Sequence, residues 1–186
     1  LNYSTIIQGL KIIRERYDTE ILTGIELYEV FNDSSKVKKY SNRLENNRWL
    51  DLFNASIFIS EDVDIYKKSK LVVGIEKMPY KNFLEPLLGS LLIDFGGLSY
   101  SRGHQDYRTV FKSNTGTKVA PIICYESIYG EYVSEYVRNG ANLLAIITND
   151  GWWNNTEGHK QHLSYARLRS IETRKNIVRS ANTGIS

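Results

Sequence analysis

The chain has 186 residues, 41% of them hydrophobic and 24% charged, with a net charge of +3. This suits one globular domain of about 100–200 residues, and it excludes a disordered segment or a chain drawn to nucleic acid by charge alone. A single cysteine excludes a disulfide framework and a cysteine-based zinc cluster, and no apolar run reaches the ~18–20 residues of a membrane span.

Residues 5–16 carry apolar side chains at 6, 7, 10, 12 and 13, the spacing of an amphipathic helix. Residues 20–31, rich in β-branched and aromatic side chains, predict a strand. A polar stretch over 32–49 opens on the turn signal Asn32–Asp33–Ser34–Ser35, and a second strand is expected over 51–59. Residues 66–79 mix basic residues with a short apolar run. The leucine-rich stretch 84–98 is broken by Pro86, Gly89, Gly96 and Gly97, so it predicts a loop with apolar side chains. Strands are expected over 107–111 and 118–124, about the turn Asn114–Thr115–Gly116. A helix over 129–138, a buried strand over 142–148, a long helix over 157–174 and a strand over 176–181 follow. This alternation predicts an α/β fold, a sheet covered by helices.

Cys124 closes the near-continuous apolar run VAPIIC. In open α/β sheets, ligand chemistry gathers at the carboxyl ends of strands. A thiol there is either an inert buried side chain or a nucleophile served by backbone N–H groups. A nucleophilic thiol needs a base and a nearby cation, since the unperturbed group is only a few per cent thiolate at pH ~7. Glu126, Glu76, His104, His159 and His162 are candidate bases. The histidines lack partner motifs and read as surface or capping residues, and no third ligand joins His159 and His162 in a metal site. Lys67, Lys68 and Lys70 form a basic cluster, which is either a solvated edge or the source of an inward-turned cation.

Five segments then carry a resemblance: YKKSKLVVGIEKMP (66–79), YSRG (100–103), PIICYES (121–127), ITNDGWW (147–153) and QHLSYARLRSIETRKNIVRSANTGIS (161–186). In this order they resemble the carbon–nitrogen hydrolase (nitrilase) superfamily, and within it the periplasmic domain of the apolipoprotein N-acyltransferases. The resemblance implies an αββα sandwich, incomplete at both ends. Residues 1–186 would then form one nitrilase-like domain fragment, soluble by itself and without the family's membrane-spanning parts. The absence of an initial methionine or a signal peptide agrees with that expectation.

The family works through a Glu–Lys–Cys triad. Matched to its motifs, the lysine is Lys68 and the nucleophile Cys124, with Glu76, Tyr125 and Glu126 in supporting places. The first glutamate has no matching motif here, since Glu20 and Glu26 lack the expected neighbours, so it is expected upstream of Leu1 and the fragment is expected to be inactive alone. The implied reaction moves an acyl chain from a phospholipid, through a thioester on Cys124, to the amine of a diacylglyceryl-modified apolipoprotein. It needs no metal and no cofactor. It would run at the bacterial inner (cytoplasmic) membrane on the periplasmic side, with the membrane surface as a further partner and no nucleic acid. Trp152, Trp153, Leu87, Leu88 and Leu91 would line an acyl groove or meet the bilayer, where Trp is favoured; the leucines alternatively pack on the core. A nitrilase-type amidase acting on a small amide, or a non-catalytic scaffold with Cys124 in its core, are the competing readings.

Overall fold

A computed structural model describes residues 5–72, 76, 100–153 and 156–186, Trp152 by its backbone alone. The expected leucine-rich loop over 84–98 lies outside the described residues. In chain order the elements are α1 (Thr5–Tyr17), β1 (Ile21–Phe31), β2 (Asn42–Arg43), β3 (Trp49–Ile59), β4 (Val63–Lys67), β5 (Phe111–Lys112), β6 (Lys118–Ile123), α2 (Gly130–Arg138), β7 (Leu143–Asn149), α3 (Gly158–Thr173) and β8 (Asn176–Asn182). The chain divides into two compact units, one of 1–25, 55–66 and 107–186, the other of 26–54 and 67–106.

The first unit is mixed α/β, with α1 packed against β3. Its second sheet runs β5-β6-β7-β8. β6, β7 and β8 are parallel, in the register Ile122↔Ile146 and Ile146↔Arg179. Parallel strands need crossovers, and α2 and α3 supply them. Burial on both faces explains why β6 and β7 read as continuous apolar runs. β5 pairs with β6 only at Phe111↔Val119 and Lys112↔Lys118. Pro121, further along β6, therefore loses no ladder bond toward β5.

Phe58 of β3 and Tyr66 of β4 pack into one core with Ile122, Leu144, Ile146 and the α2 residues Tyr132, Val133 and Tyr136. Phe58 stacks on Phe111 with ring centroids 5.6 Å apart. Ile57 and Ile59, on the opposite face of β3, meet Ile7 of α1. The period of two along a strand thus sends neighbours into different cores. The expected amphipathic stripe of α1 is narrower than its spacing suggests. Ile7 and Leu10 face the sheet, while Ile6, Ile12 and Ile13 are exposed, because the helix rests on a single line of contact.

Residues 107–110 are not strand, contrary to expectation. Arg108 is committed elsewhere: it pairs with Glu135 at 2.9 Å and lies over the Tyr132 ring at 4.1 Å. β4 was not anticipated.

In the second unit, Asn42 ties β2 to the segment after Tyr100. Its amide donates to Leu50 O and Ser101 O at 3.1 and 2.9 Å, and its oxygen accepts from Ser101 N at 2.7 Å. Gly103 lies against the Phe53 and Tyr40 rings, where a Cβ would clash.

Candidate active site

In the first unit, β6 ends at Ile123 and Cys124 opens a 3-10 turn, Cys124–Ile128, at φ +52°. The left-handed region costs a non-glycine residue about 1–2 kcal/mol, so the surroundings must hold it. Glu126 is 0% exposed. Its Oε2 accepts from Ile123 N at 2.8 Å, and its Oε1 accepts from Tyr66 Oη at 2.6 Å and Tyr132 Oη at 3.2 Å. Tyr66 and Tyr132 also share a hydroxyl contact. Burial holds the neighbouring Tyr136 phenol far above its ordinary value, so it stays neutral beside this carboxylate. Tyr125 packs edge-on to Tyr129 at 5.7 Å. Cys124 itself is half-buried.

A second set of groups holds the carbonyl of Cys124. Ser127 Oγ donates to it at 2.9 Å and His162 Nε2 lies 3.0 Å from it. His162 Nδ1 is 3.1 Å from Asp150 Oδ1, and Arg179 donates to Asp150 Oδ2 at 2.5 Å. Burial pushes the Asp150 carboxyl up, but hydrogen bonds from Arg179, His162 and Thr148 and the Arg179 charge outweigh it, so it sits below its ordinary value. His162 is therefore no surface or capping residue; it is 4% exposed. Its burial is hidden from the sequence because the buried positions of α3 are His162, Ala166 and Arg169, which show no apolar stripe. Their spacing of four and three is the only signal the sequence held.

In the second unit, Lys68 is 1% exposed and its ammonium lies 2.9 and 2.8 Å from the two oxygens of Glu76. Val72 N donates to Glu76 Oε2 at 2.7 Å, and Asn54 Nδ2 donates to Oε1. Asn54 O accepts from Lys68 N at 2.8 Å, so one residue of β3 locates both partners. Of the basic cluster, Lys68 alone turns inward. Lys67 pairs with Glu29 at 2.7 Å over the Phe53 ring, and Lys70 is exposed.

The early glutamates have structural partners. Glu20 accepts from Ser113 Oγ and, at 2.7 Å, from Asn114 N; Glu26 pairs with Arg102 at 2.6 Å. Trp152 and Trp153 lie in the 3-10 turn Asp150–Trp153, and Trp153 is exposed. Leu87, Leu88 and Leu91 lie outside the described residues. Cys124, Tyr125, Glu126, Trp152 and Trp153 thus belong to the first unit, Lys68 and Glu76 to the second. Among the described residues, no cluster of three or more His, Cys, Asp or Glu is placed to hold a metal ion.

The carbon–nitrogen hydrolase family model matches residues 4–186. The chain belongs to the carbon–nitrogen hydrolase family. It is 35% identical to apolipoprotein N-acyltransferase of Chlorobaculum tepidum, over 92% of this chain and 33% of that protein. It is 31% identical to apolipoprotein N-acyltransferase of Pasteurella multocida, over 96% of this chain and 32% of that protein. This carbon–nitrogen hydrolase chain thus spans about a third of the length of these curated relatives. Among solved structures it is similar to Saccharomyces cerevisiae Nit3, of branch 10 of the nitrilase superfamily, with a TM-score of 0.49 and 19% identity over 71% of this chain and 40% of that one. Among the described residues, no helix is long and apolar enough to cross a membrane.

Proposed function

We propose that this carbon–nitrogen hydrolase domain carries the acyl-transfer chemistry of an apolipoprotein N-acyltransferase at the periplasmic face of a bacterial inner membrane. The observation that carries the reading is Cys124, the one cysteine of the chain, half-buried at a strand tip in a left-handed backbone conformation. The choice of acyl transfer over amide hydrolysis is supported by relatives of that name, similar over 92% and 96% of the chain.

In the first half-reaction, a glutamate base of the family's triad takes the thiol proton, and Sγ attacks the carbonyl carbon of a phospholipid sn-1 ester. Lys68 balances the thiolate and then the tetrahedral oxyanion, with the Tyr125 amide as a second donor. The ester C–O bond breaks, the base returns the proton to the departing oxygen, and lysophospholipid leaves. In the second half-reaction, the α-amine of an S-diacylglyceryl-cysteine attacks the thioester carbon. The C–S bond breaks and the base collects the amine's proton.

Glu76 holds the Lys68 ammonium in place, and Glu126 anchors the turn that bears the thiol. Trp153, exposed in the turn after β7, meets the acyl chain or the bilayer surface, helping to keep water from the thioester.

The test is incubation of the protein, as its own cell makes it, with phospholipid labelled in the sn-1 acyl chain. The proposal expects label on Cys124 as a hydroxylamine-labile thioester, discharged by a diacylglyceryl-cysteine peptide. No labelled thioester, together with turnover of a small soluble amide, would establish an amidase instead.

A further inference from the structure

Ser127, His162 and Asp150 stand in the order of a serine nucleophile, its base and an orienting carboxylate. Ser127 Oγ is 3.0 Å from His162 Nε2, and His162 Nδ1 is 3.1 Å from Asp150 Oδ1. Two facts remove the set from nucleophilic chemistry. Ser127 is 0% exposed, so no substrate reaches its oxygen. Its hydroxyl is also committed, donating to the Cys124 carbonyl at 2.9 Å.

With that hydrogen committed, both atoms facing Nε2 are acceptors: Cys124 O and Ser127 Oγ, each at 3.0 Å. The carbonyl can only accept, so its contact with Nε2 is a hydrogen bond when Nε2 carries the hydrogen, whichever charge the ring holds. On the far side, Nδ1 meets Asp150 Oδ1 and, at 3.4 Å, an Arg179 nitrogen. Asp150 is held in turn by Thr148 at 3.0 Å and by Arg179 at 2.5 Å. His162, Asp150 and Ser127 are all buried, and the Arg179 side chain is 4% exposed.

We infer that His162 is a positioning residue for Cys124: its Nε2–H, oriented by Asp150, fixes the Cys124 carbonyl and with it the left-handed peptide that presents the thiol. A carbonyl released from this hold can rotate back to the extended conformation that β6 favours. The thiol would then lose its place at the strand tip. The inference rests on the reading of Cys124 as the nucleophile, and its test separates the two.

Ring nitrogen NMR of the labelled protein reports the tautomer. Nε2 is expected to carry hydrogen, and a bare Nε2 would overturn the inference. Iodoacetamide alkylation of Cys124 at neutral pH gives the second readout. His162→Ala is expected to slow it about tenfold, the worth of roughly one buried hydrogen bond. His162→Gln, whose amide N–H has a similar reach, is expected to recover most of the rate, with thermal unfolding confirming that both variants fold. Equal rates in all three proteins, or a folded glutamine variant as slow as the alanine one, would overturn the inference. If His162→Ala does not fold, the glutamine variant and the ring spectrum decide. Neither readout uses phospholipid, so a failure of acyl transfer leaves this result intact.

Discussion

The Lys68 ammonium lies 2.9 and 2.8 Å from the two carboxylate oxygens of Glu76, with the side chains 2% and 10% exposed. The two ends of this pair are not equally protected. Glu76 has further donors in Asn54 and Val72 N, whereas Glu76 is the described partner of the ammonium. Glu76→Gln strands a buried cation and is expected to cost about 3–5 kcal/mol in urea unfolding. Lys68→Met leaves the carboxylate its other donors and is expected to cost less. A larger loss for Lys68→Met would show that the carboxylate, not the lysine, depends on the pair.

Asp150 makes part of the stability pH-dependent. Its carboxyl is lowered from 3.8 in the folded chain, so the folded state binds fewer protons than the unfolded one. The stabilisation is complete above 3.8 and is lost as pH falls below it toward the folded value. Asp150→Asn also leaves Arg179 buried without its charge partner, at a cost of about 3 kcal/mol near neutral pH. Urea midpoints measured across acid pH should therefore drop for the variant at pH 7 and converge with wild type under strongly acid conditions. Parallel curves would contradict this.

Glu126 is expected to act through the turn it anchors. Tyr66→Phe removes one donor from a fully buried carboxylate and should cost about 1–3 kcal/mol. Glu126→Ala also orphans Ile123 N and opens a cavity, so it should cost more. Urea unfolding of both variants gives the order, and a neutral Tyr66→Phe would mean that the other donors suffice.

Much of the first unit was legible because its signals are redundant. β6 and β7 read as buried strands from unbroken apolar runs, and the two helices from their place between those strands and the next. β4 was missed although Val63 and Ile65 alternate with Asp62 and Asp64, because the short strand sits beside a basic run. The 107–111 segment read as strand from its Tyr, Thr and Val content, yet Arg108 is held by Glu135 and Tyr132. A long-range charge partner leaves no trace in local propensity. The site divides in the same way. Cys124 was legible because it ends an apolar run. Lys68 could not be told from Lys67 and Lys70 by composition, since burial beside Glu76 distinguishes it. His162 read only as one of several candidate bases, and its pairing with Asp150 was illegible because the burial of both is set by each other and by Arg179 across three elements.

The proposed function turns on Cys124 as a nucleophile whose attack depends on the Lys68 ammonium. The most direct measurement is the rate of iodoacetamide alkylation of Cys124 at neutral pH, in the wild-type protein and in Lys68→Met, against a small-molecule thiol. Cys124 is expected to react at least ~tenfold faster than the small thiol, whose pKa of about 8.5 leaves it mostly protonated. Lys68→Met, still folded, is expected to lose that advantage. Slow alkylation of Cys124 that is unchanged by Lys68→Met would contradict both expectations.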